Sequence, residues 1–392
     1  MESLFEASPF TGYVYPNETI IPWTVLIVVY PYLTGLVAGA FTISSLYQVF
    51  GFKQLRPVAH FALLISLCCM VTVPLPLLLH LGHPERAFNA MITPHATSAF
   101  AIFGYAAAFY VILLTLETWF VFRPHMVHQA QQRTGLLGWY YRILSLGSSD
   151  LSENAMRYDR KWLFALAIIG IPGAHGLHGY VGFVFGSVKS REWWSSDLMP
   201  VIFLFSAIIS GTALVIVLYV LSCKLRKVPV DLSCLKVMAY SLWGFMMFTL
   251  LLEGVEFASL VYRGREGYDM IMQFVEGPLL IPFFILQFGI GSVLPLAVIT
   301  FFIWRGANDR ALVVGVTASA ILVLLAVLMM RYNVVIGGQE ISKTGKGLLA
   351  YHPPLLGREG LLAAAVVLIL PPILLSVLVR FLPPWHDQEQ TA

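Results

Sequence analysis

Charge is what this chain has least of: Asp, Glu, Lys and Arg make up 11% of its 392 residues, against roughly 25% in a soluble domain. That deficit excludes a water-exposed globular surface. The charges present are nearly balanced, 24 Lys and Arg against 21 Asp and Glu for a net +3, so no basic excess points to nucleic acid. Cysteine is scarce as well. Cys68, Cys69, Cys223 and Cys234 include no CxxC spacing, so neither a zinc nor an iron–sulfur ligand set is encoded, and no disulfide framework is expected. A secretory signal is also missing. Residues 1–20 carry Glu2 and Glu6, no Lys or Arg, and no apolar core followed by a small-residue cleavage site, so the first apolar span is expected to drive insertion itself.

What the chain has instead is hydrophobic length. Apolar residues make up 58% of it and the mean hydropathy is +0.79. Apolar runs bounded by charges, Pro or Gly fall near 23–49, 58–82, 97–122, 161–187, 199–223, 234–262, 278–304, 310–336 and 359–382, each long enough for the roughly 20 residues that cross a bilayer. Lipid offers no hydrogen bonds, so each span must satisfy its backbone internally and is predicted helical. The fold class expected is an all-α polytopic membrane protein of nine spans.

The loop charges predict orientation. With the amino terminus outside, fifteen Lys and Arg fall on the inner side and nine on the outer, which favours N-out and C-in across a prokaryotic cytoplasmic (inner) membrane. Spans one and five share a pattern, YLTGLVAGA over 32–40 and LFSAIISGT over 204–212, which matches Thr34 to Ser206, Gly35 to Ala207 and Gly39 to Gly211. A parallel repeat of four helices plus four follows, with a ninth appended. The expected division is 1–187, a first four-helix bundle carrying the ligand site; 188–336, a second; and 337–392, an outer loop, the last span and a tail. Small residues at Gly35 and Gly39 are expected to let helices approach closely.

Ionisable residues inside spans are costly and mark function. His80 ends span two, His175 and His178 lie in IPGAHGLHGYVGF of span four, and Glu253 and Glu256 lie in LLLEGVEFASLVY of span six. All approach the outer side. Residues three apart share a helix face, so the two histidines are read as a packed interface, as contacts to a redox ligand, or, with His80, as axial ligands of a b-type haem. The two carboxylates are read either as a proton route to water or as partners of polar groups such as Gln287. Glu117 is expected to pair with Arg123. Trp23, Tyr32, Trp193, Trp194, Tyr262 and Tyr332 suit interfacial belts, whereas Tyr30, beside Pro31, is placed to donate to a ligand carbonyl.

These motifs together resemble one family. LGHPERAFNAM over 81–91 is similar to the LGxPxRFxN element of the NrfD family, typified by the polysulfide reductase membrane anchor. PWTVLIVVYPYLTGLVAGAF, HGYVGF and RYNVVIGGQ resemble it too, and DLSENAMRYDRKW leading into span four resembles the DsrP-like branch of sulfite-reduction complexes. The resemblance implies a membrane subunit that binds menaquinone or another quinone near the outer face, holding no haem or iron–sulfur cluster itself. It also implies electron exchange with an outer ferredoxin-like iron–sulfur subunit, in complexes that can include a multihaem cytochrome c or a molybdenum catalytic subunit. His178, Tyr30 and His175 are then the candidate reactive residues, and Tyr30, Gly35, His178 and Arg86 the candidate quinone contacts. His80, Glu253 and Glu256 are candidates for proton transfer, with Arg331 and Arg86 for docking the partner. Two departures bear on this: His80 stands where relatives often carry an acid, and His83 where they carry Arg. A secondary transporter or proton channel, and a purely structural anchor, are the alternative classes.

Overall fold

In a computed structural model, the described residues are 10–95, 97–264, 268–306 and 308–385; Glu2 and Glu6, named above, and Arg265, one of the nine outer charges, lie outside them. Among the described residues nine helices are long and apolar enough to cross a membrane: α1 Val25–Gln48, α2 Lys53–His80, α3 Ala101–Gln132, α4 Glu153–Gly186, α5 Met199–Arg226, α6 Leu232–Arg263, α7 Leu280–Arg305, α8 Asp309–Glu340 and α9 Leu361–Phe381. The chain is an all-α polytopic membrane protein. Helix α1 starts on one face and α9 ends on the other: the face where α1 starts, called the amino-terminal face below, also carries the α2–α3, α4–α5, α6–α7 and α8–α9 connections.

Side-chain caps start several helices. Ser98, Ser152, Asp231 and Asn308 each accept from a backbone N–H of the first turn, satisfying donors that a helix end leaves open. Helices α3 and α4 run well past the predicted ends at 122 and 161. Their extensions stay helical because tertiary contacts hold them: Arg123 Nε donates to Asp159 Oδ2 at 2.7 Å, and Trp119 Nε1 donates to the Leu144 carbonyl of the short helix Gly135–Leu144. The expected Glu117–Arg123 pair is therefore corrected. Arg123 belongs to Asp159, while Glu117 is fully buried with both carboxylate oxygens unpartnered.

Helix α1 is the axis of the molecule, buried along most of its length and packed on α2, α4, α5, α8 and α9. It crosses α5 at the matched glycines. A Cβ on Gly39 would sit 2.7 Å from Gly211 Cα, and one on Gly211 would strike the Gly39 backbone, so neither position accepts a side chain. Around this crossing α1 packs on α2 and α4, and α3 on α4; α5 packs on α6 and α8, and α7 on α8.

Helix α7 is unusual. Leu280–Val293 is wound as a π-helix, a wide coil that is rare outside single turns and is frequent at functional sites. Below it, Leu294–Arg305 packs on α6; above, α6 and α7 part.

Candidate functional site: two polar clusters beneath the amino-terminal face

Beside the α1–α5 crossing, α4 contributes His178 and α8 contributes Arg331, 1% and 0% exposed. At 1.5 Å rise per residue both lie roughly 12–14 Å below the helix ends of the amino-terminal face. Arg331 Nη2 lies 3.0 Å from His178 Nε2 and donates to Ser206 Oγ at 2.5 Å; its guanidinium stacks 3.8 Å over the Phe203 ring. His178 Nδ1 lies 3.0 Å from Thr34 Oγ1.

Arginine has no lone pair to offer, so Nε2 must accept and the imidazole is the neutral form protonated at Nδ1. Thr34 donates its own hydroxyl proton to the Pro31 carbonyl, leaving its oxygen to accept from Nδ1. The donor order is thus Arg331 to His178 to Thr34 to Pro31. Ser206 repeats the last link, accepting from Arg331 and donating to the Phe203 carbonyl three residues back. Thr34 and Ser206 are the matched positions of α1 and α5. Thr34 on α1 is the acceptor for α4, and Ser206 on α5 the acceptor for α8.

The second cluster lies on the far side of Arg331, where α6 and α7 part. Gln287, in the π-wound stretch, donates from Nε2 to Glu253 Oε2 at 3.1 Å and accepts at Oε1 from Asn333 Nδ2 at 2.8 Å. These groups line a cleft with Glu256, Trp193, Phe257 and Phe283. Asn333 is 2% exposed and its Oδ1 has no donor. A buried acceptor left open costs about 1–3 kcal/mol. Glu256 also lines a smaller pocket with Glu192, Arg263 and Tyr268 nearer the face, so it stands between the cleft and water. Glu253 of this cluster and Arg331 of the first are an acid and a base with no direct bond between them among the described contacts.

A rigid cap covers both. Buried Glu18 binds Arg191 at 3.1 Å, and Arg191 also donates to the carbonyls of Gly338, Gln339 and Ile341. Burial lowers the Arg191 guanidinium pKa from its ordinary value, with Glu18 opposing the shift. Gln339 clamps the Trp23 backbone at both N–H and C=O. Trp23 stacks on Trp194 with ring centroids 5.2 Å apart, and Trp194 lies against Gly338 so closely that a side chain there would collide. Strands β1 (Phe10–Tyr13) and β2 (Lys346–Leu349) pair antiparallel, Phe10 opposite Leu349. Four residues of the RYNVVIGGQ stretch thereby find their places. Arg331 serves the first cluster, Asn333 the second, and Gly338 and Gln339 the cap.

Glu253 and Glu256 line one cleft, and Glu253 takes the Gln287 partner expected of it. His178 and Gly35 meet, since a Cβ on Gly35 would lie 3.3 Å from the imidazole. Arg331, expected at a docking surface, is instead an interior residue bonded to His178. Tyr30 is buried against Phe103, ring centroids 5.4 Å apart. His175 contacts Thr42 Oγ1 and the Ile171 carbonyl, and His80 pairs with Glu359 at 3.3 Å; neither contact joins the clusters. Arg86 is exposed on the α2–α3 connection. Trp193 and Trp194 are structural pins rather than belt residues, donating to the Asn333 and Val334 carbonyls.

Sequence reasoning misses Thr34, Ser206 and Asn333 as functional residues. For the first two the only signal is their matched place in the repeat. For Asn333 it is an amide inside an apolar run.

A family model described as Polysulphide reductase, NrfD matches residues 15–342. Among curated proteins the chain is 30% identical over 385 residues to a selenate reductase subunit of Mesobacillus selenatarsenatis, covering 94% of this chain and 87% of that one. It is 25% identical over 205 residues to a putative dimethyl sulfoxide reductase membrane subunit of Halobacterium salinarum, covering 52% and 44%. An Hdr-like menaquinol oxidoreductase integral membrane subunit of Archaeoglobus fulgidus is 23% identical over 239 residues, covering 60% and 52%. With the match spanning α1 to α8 and the cap, the chain belongs to the NrfD family.

Proposed function

We propose that this chain is the quinone-reactive membrane subunit of a multi-subunit respiratory oxidoreductase, and that it exchanges electrons with an iron–sulfur subunit docked on its amino-terminal face. The observation that carries the reading is the α6–α7–α8 cleft: a slot between aromatic rings, open beside lipid-facing Val255, Leu280 and Phe284, with an unpartnered amide oxygen and two carboxylates converging inside. The chemistry of those groups suits a flat, lipid-soluble ring bearing two oxygens, for which the slot of about 80 Å³ would have to widen.

When bound, a quinol supplies two electrons and two protons. Asn333 Oδ1 would accept from a ring hydroxyl, its direction set by the Asn333 Nδ2 bond to Gln287. Glu253 stands ready to take a proton inside the cleft, and Glu256 to pass it to the pocket of Glu192 and Arg263. Arg331 sets the field at Glu253, and His178 with Ser206 and Thr34 holds Arg331 in place without adding a countercharge. Phe257 and Phe283 keep bulk water from the ring. Menaquinol in the name of the archaeal relative and the selenate and dimethyl sulfoxide reductase subunits support a menaquinone-type carrier and a reductase partner. The excess of Lys and Arg on the opposite face supports an amino-terminal face turned outward.

The test is to purify the chain gently with its bound subunits, extract it for quinone, and assay quinol turnover in wild type, Asn333→Leu and Glu253→Gln. Bound quinone, an iron–sulfur partner and turnover lost in both variants are the expected result. A quinone-free chain without redox partners would overturn the reading in favour of transport.

A further inference from the structure

A roomy cavity lies at the opposite end of the molecule from both clusters. About 780 Å³ in volume, it opens at the level where α1 ends and α2 begins, between the lower turns of α3 and α4 and the residues after α9. Many water volumes of about 30 Å³ each would fit, so its space exceeds that of one small ion. Its charge is one-sided. Lys53, at the first turn of α2, and Arg160, on α4, reach it as exposed cations, and His60, His125 and His128 add imidazoles. The carboxylate in its wall, Asp159, is buried and already bonded to Arg123, whose guanidinium also holds Ser148 Oγ and the Asp150 carbonyl. Among the described residues that line the cavity, no second carboxylate faces these two cations. Next to them the wall turns apolar: Phe120, Leu163 and Phe164 run up the lipid-facing side, and Trp162 stacks on Phe120.

We infer that this basic cavity binds the phosphate headgroup of an anionic phospholipid, with Lys53 and Arg160 on the phosphate oxygens and the acyl chains along Phe120, Leu163 and Phe164. The charge alone would suit any phosphate. The apolar wall at headgroup depth, continuous with the membrane-facing flank of α3 and α4, selects a lipid over a free anion. Lys53 starts α2 and Arg160 lies on α4, so one bridged headgroup ties α4 to the α1–α2 corner on a face where α1 itself ends. Basic pockets between helices on the face richer in Lys and Arg are where such lipids bind. Neither the quinone reading nor the orientation is needed for this site.

The experiment uses the detergent-purified chain with whatever subunits accompany it. Native mass spectrometry and lipid extraction score retained lipid, and a thermal melt scores added vesicle lipid: phosphatidylglycerol, cardiolipin, phosphatidylethanolamine, or inorganic phosphate alone. The expected result is retained anionic lipid and a melting temperature raised by the two anionic lipids but by neither other probe. In Lys53→Gln/Arg160→Gln the apparent affinity for anionic lipid falls at least tenfold. Lys224→Gln/Lys227→Gln, which removes the same charge from the same face away from the cavity, keeps it. Equal retention of zwitterionic lipid, an equal loss in the control pair, or an equal shift from inorganic phosphate would each overturn the lipid site. The substituted side chains are exposed, so both double variants are expected to fold, and a wild-type melting temperature without lipid verifies this.

Discussion

Arg331 is held inside the protein by neutral partners, and that choice has a measurable consequence. Its bonds go to an imidazole nitrogen, a hydroxyl and the Met330 sulfur, with an aromatic face beneath; its attractive countercharge, Glu253, lies in the next cluster. His178→Leu removes the acceptor and leaves a buried cation under-bonded, which is expected to cost about 1.5–3 kcal/mol. His178→Gln, which can present an oxygen to the same nitrogen, should recover part of that loss. Melting temperatures of the purified variants check the order wild type, Gln, Leu. Asn333→Ala behaves differently, since its side chain supports Gln287 on one side and an open acceptor on the other. Its expected penalty of about 1–3 kcal/mol in ligand binding is roughly 5- to 150-fold, read as a weakened apparent affinity for quinol with the melt little changed. Glu117 is the opposite case. Both its carboxylate oxygens are buried without donors, so Glu117→Gln removes no bond and spares a buried carboxylate. The variant is expected to melt at or above the wild-type temperature, and a large drop would mean that Glu117 has a bonded partner in the membrane.

At the scale of helices, the glycines separate into those that permit contact and those that do not. Gly39 and Gly211 meet backbone to backbone, so Gly39→Leu or Gly211→Val cannot be absorbed by a rotamer change. Each should abolish recovery of folded protein, and the pair together should rescue nothing. Gly244, on α6, faces open space, and Gly244→Ala should raise stability by roughly 0.5–1 kcal/mol through helix propensity alone. Detergent-resistant yield and melts distinguish the two sets. The spans themselves were legible in the sequence because lipid leaves hydrophobic length little else to become. The close approach of α1 and α5 was half legible: the repeat flagged Gly39, but which helix it would meet required the fold. The ends of α3 and α4 were not legible, because polar residues beyond the bilayer remain helical when an Arg123–Asp159 bond and a Trp119 anchor hold them. The π-wound stretch of α7 had no sequence signal beyond Pro282, Gly289 and Gly291. Glu253 with Gln287 was legible, since two polar side chains in apolar runs have few partners to choose from. Thr34 and Ser206 were not, because hydroxyls in helices commonly satisfy themselves on carbonyls one turn back, and these two do that as well.

For the whole molecule, the polar machinery is asymmetric along the bundle axis. Both clusters and the cap of Glu18, Arg191, Trp23, Trp194 and Gln339 lie toward the amino-terminal face, whereas the basic cavity and most Lys and Arg lie toward the other. A redox partner on the amino-terminal face would approach the cleft through the cap, so loosening the cap should release that partner while the spans stay folded. Glu18→Ala, which leaves Arg191 buried without its carboxylate, is expected to cost about 3–5 kcal/mol locally and to appear as lost co-purification of the partner with an unchanged helical signal. Which compartment that face meets can be read directly, because the four native cysteines are all buried and should resist a membrane-impermeant maleimide. Leu355→Cys, on the exposed α8–α9 connection, and Lys227→Cys, at the exposed α5–α6 turn, then report opposite faces. In intact cells Leu355→Cys is expected to label and Lys227→Cys to label only after permeabilisation, the orientation that the distribution of Lys and Arg favours. The reverse pattern would put the cleft and its carboxylates beside the cytoplasm, and protons released there would leave on the inner side of the membrane.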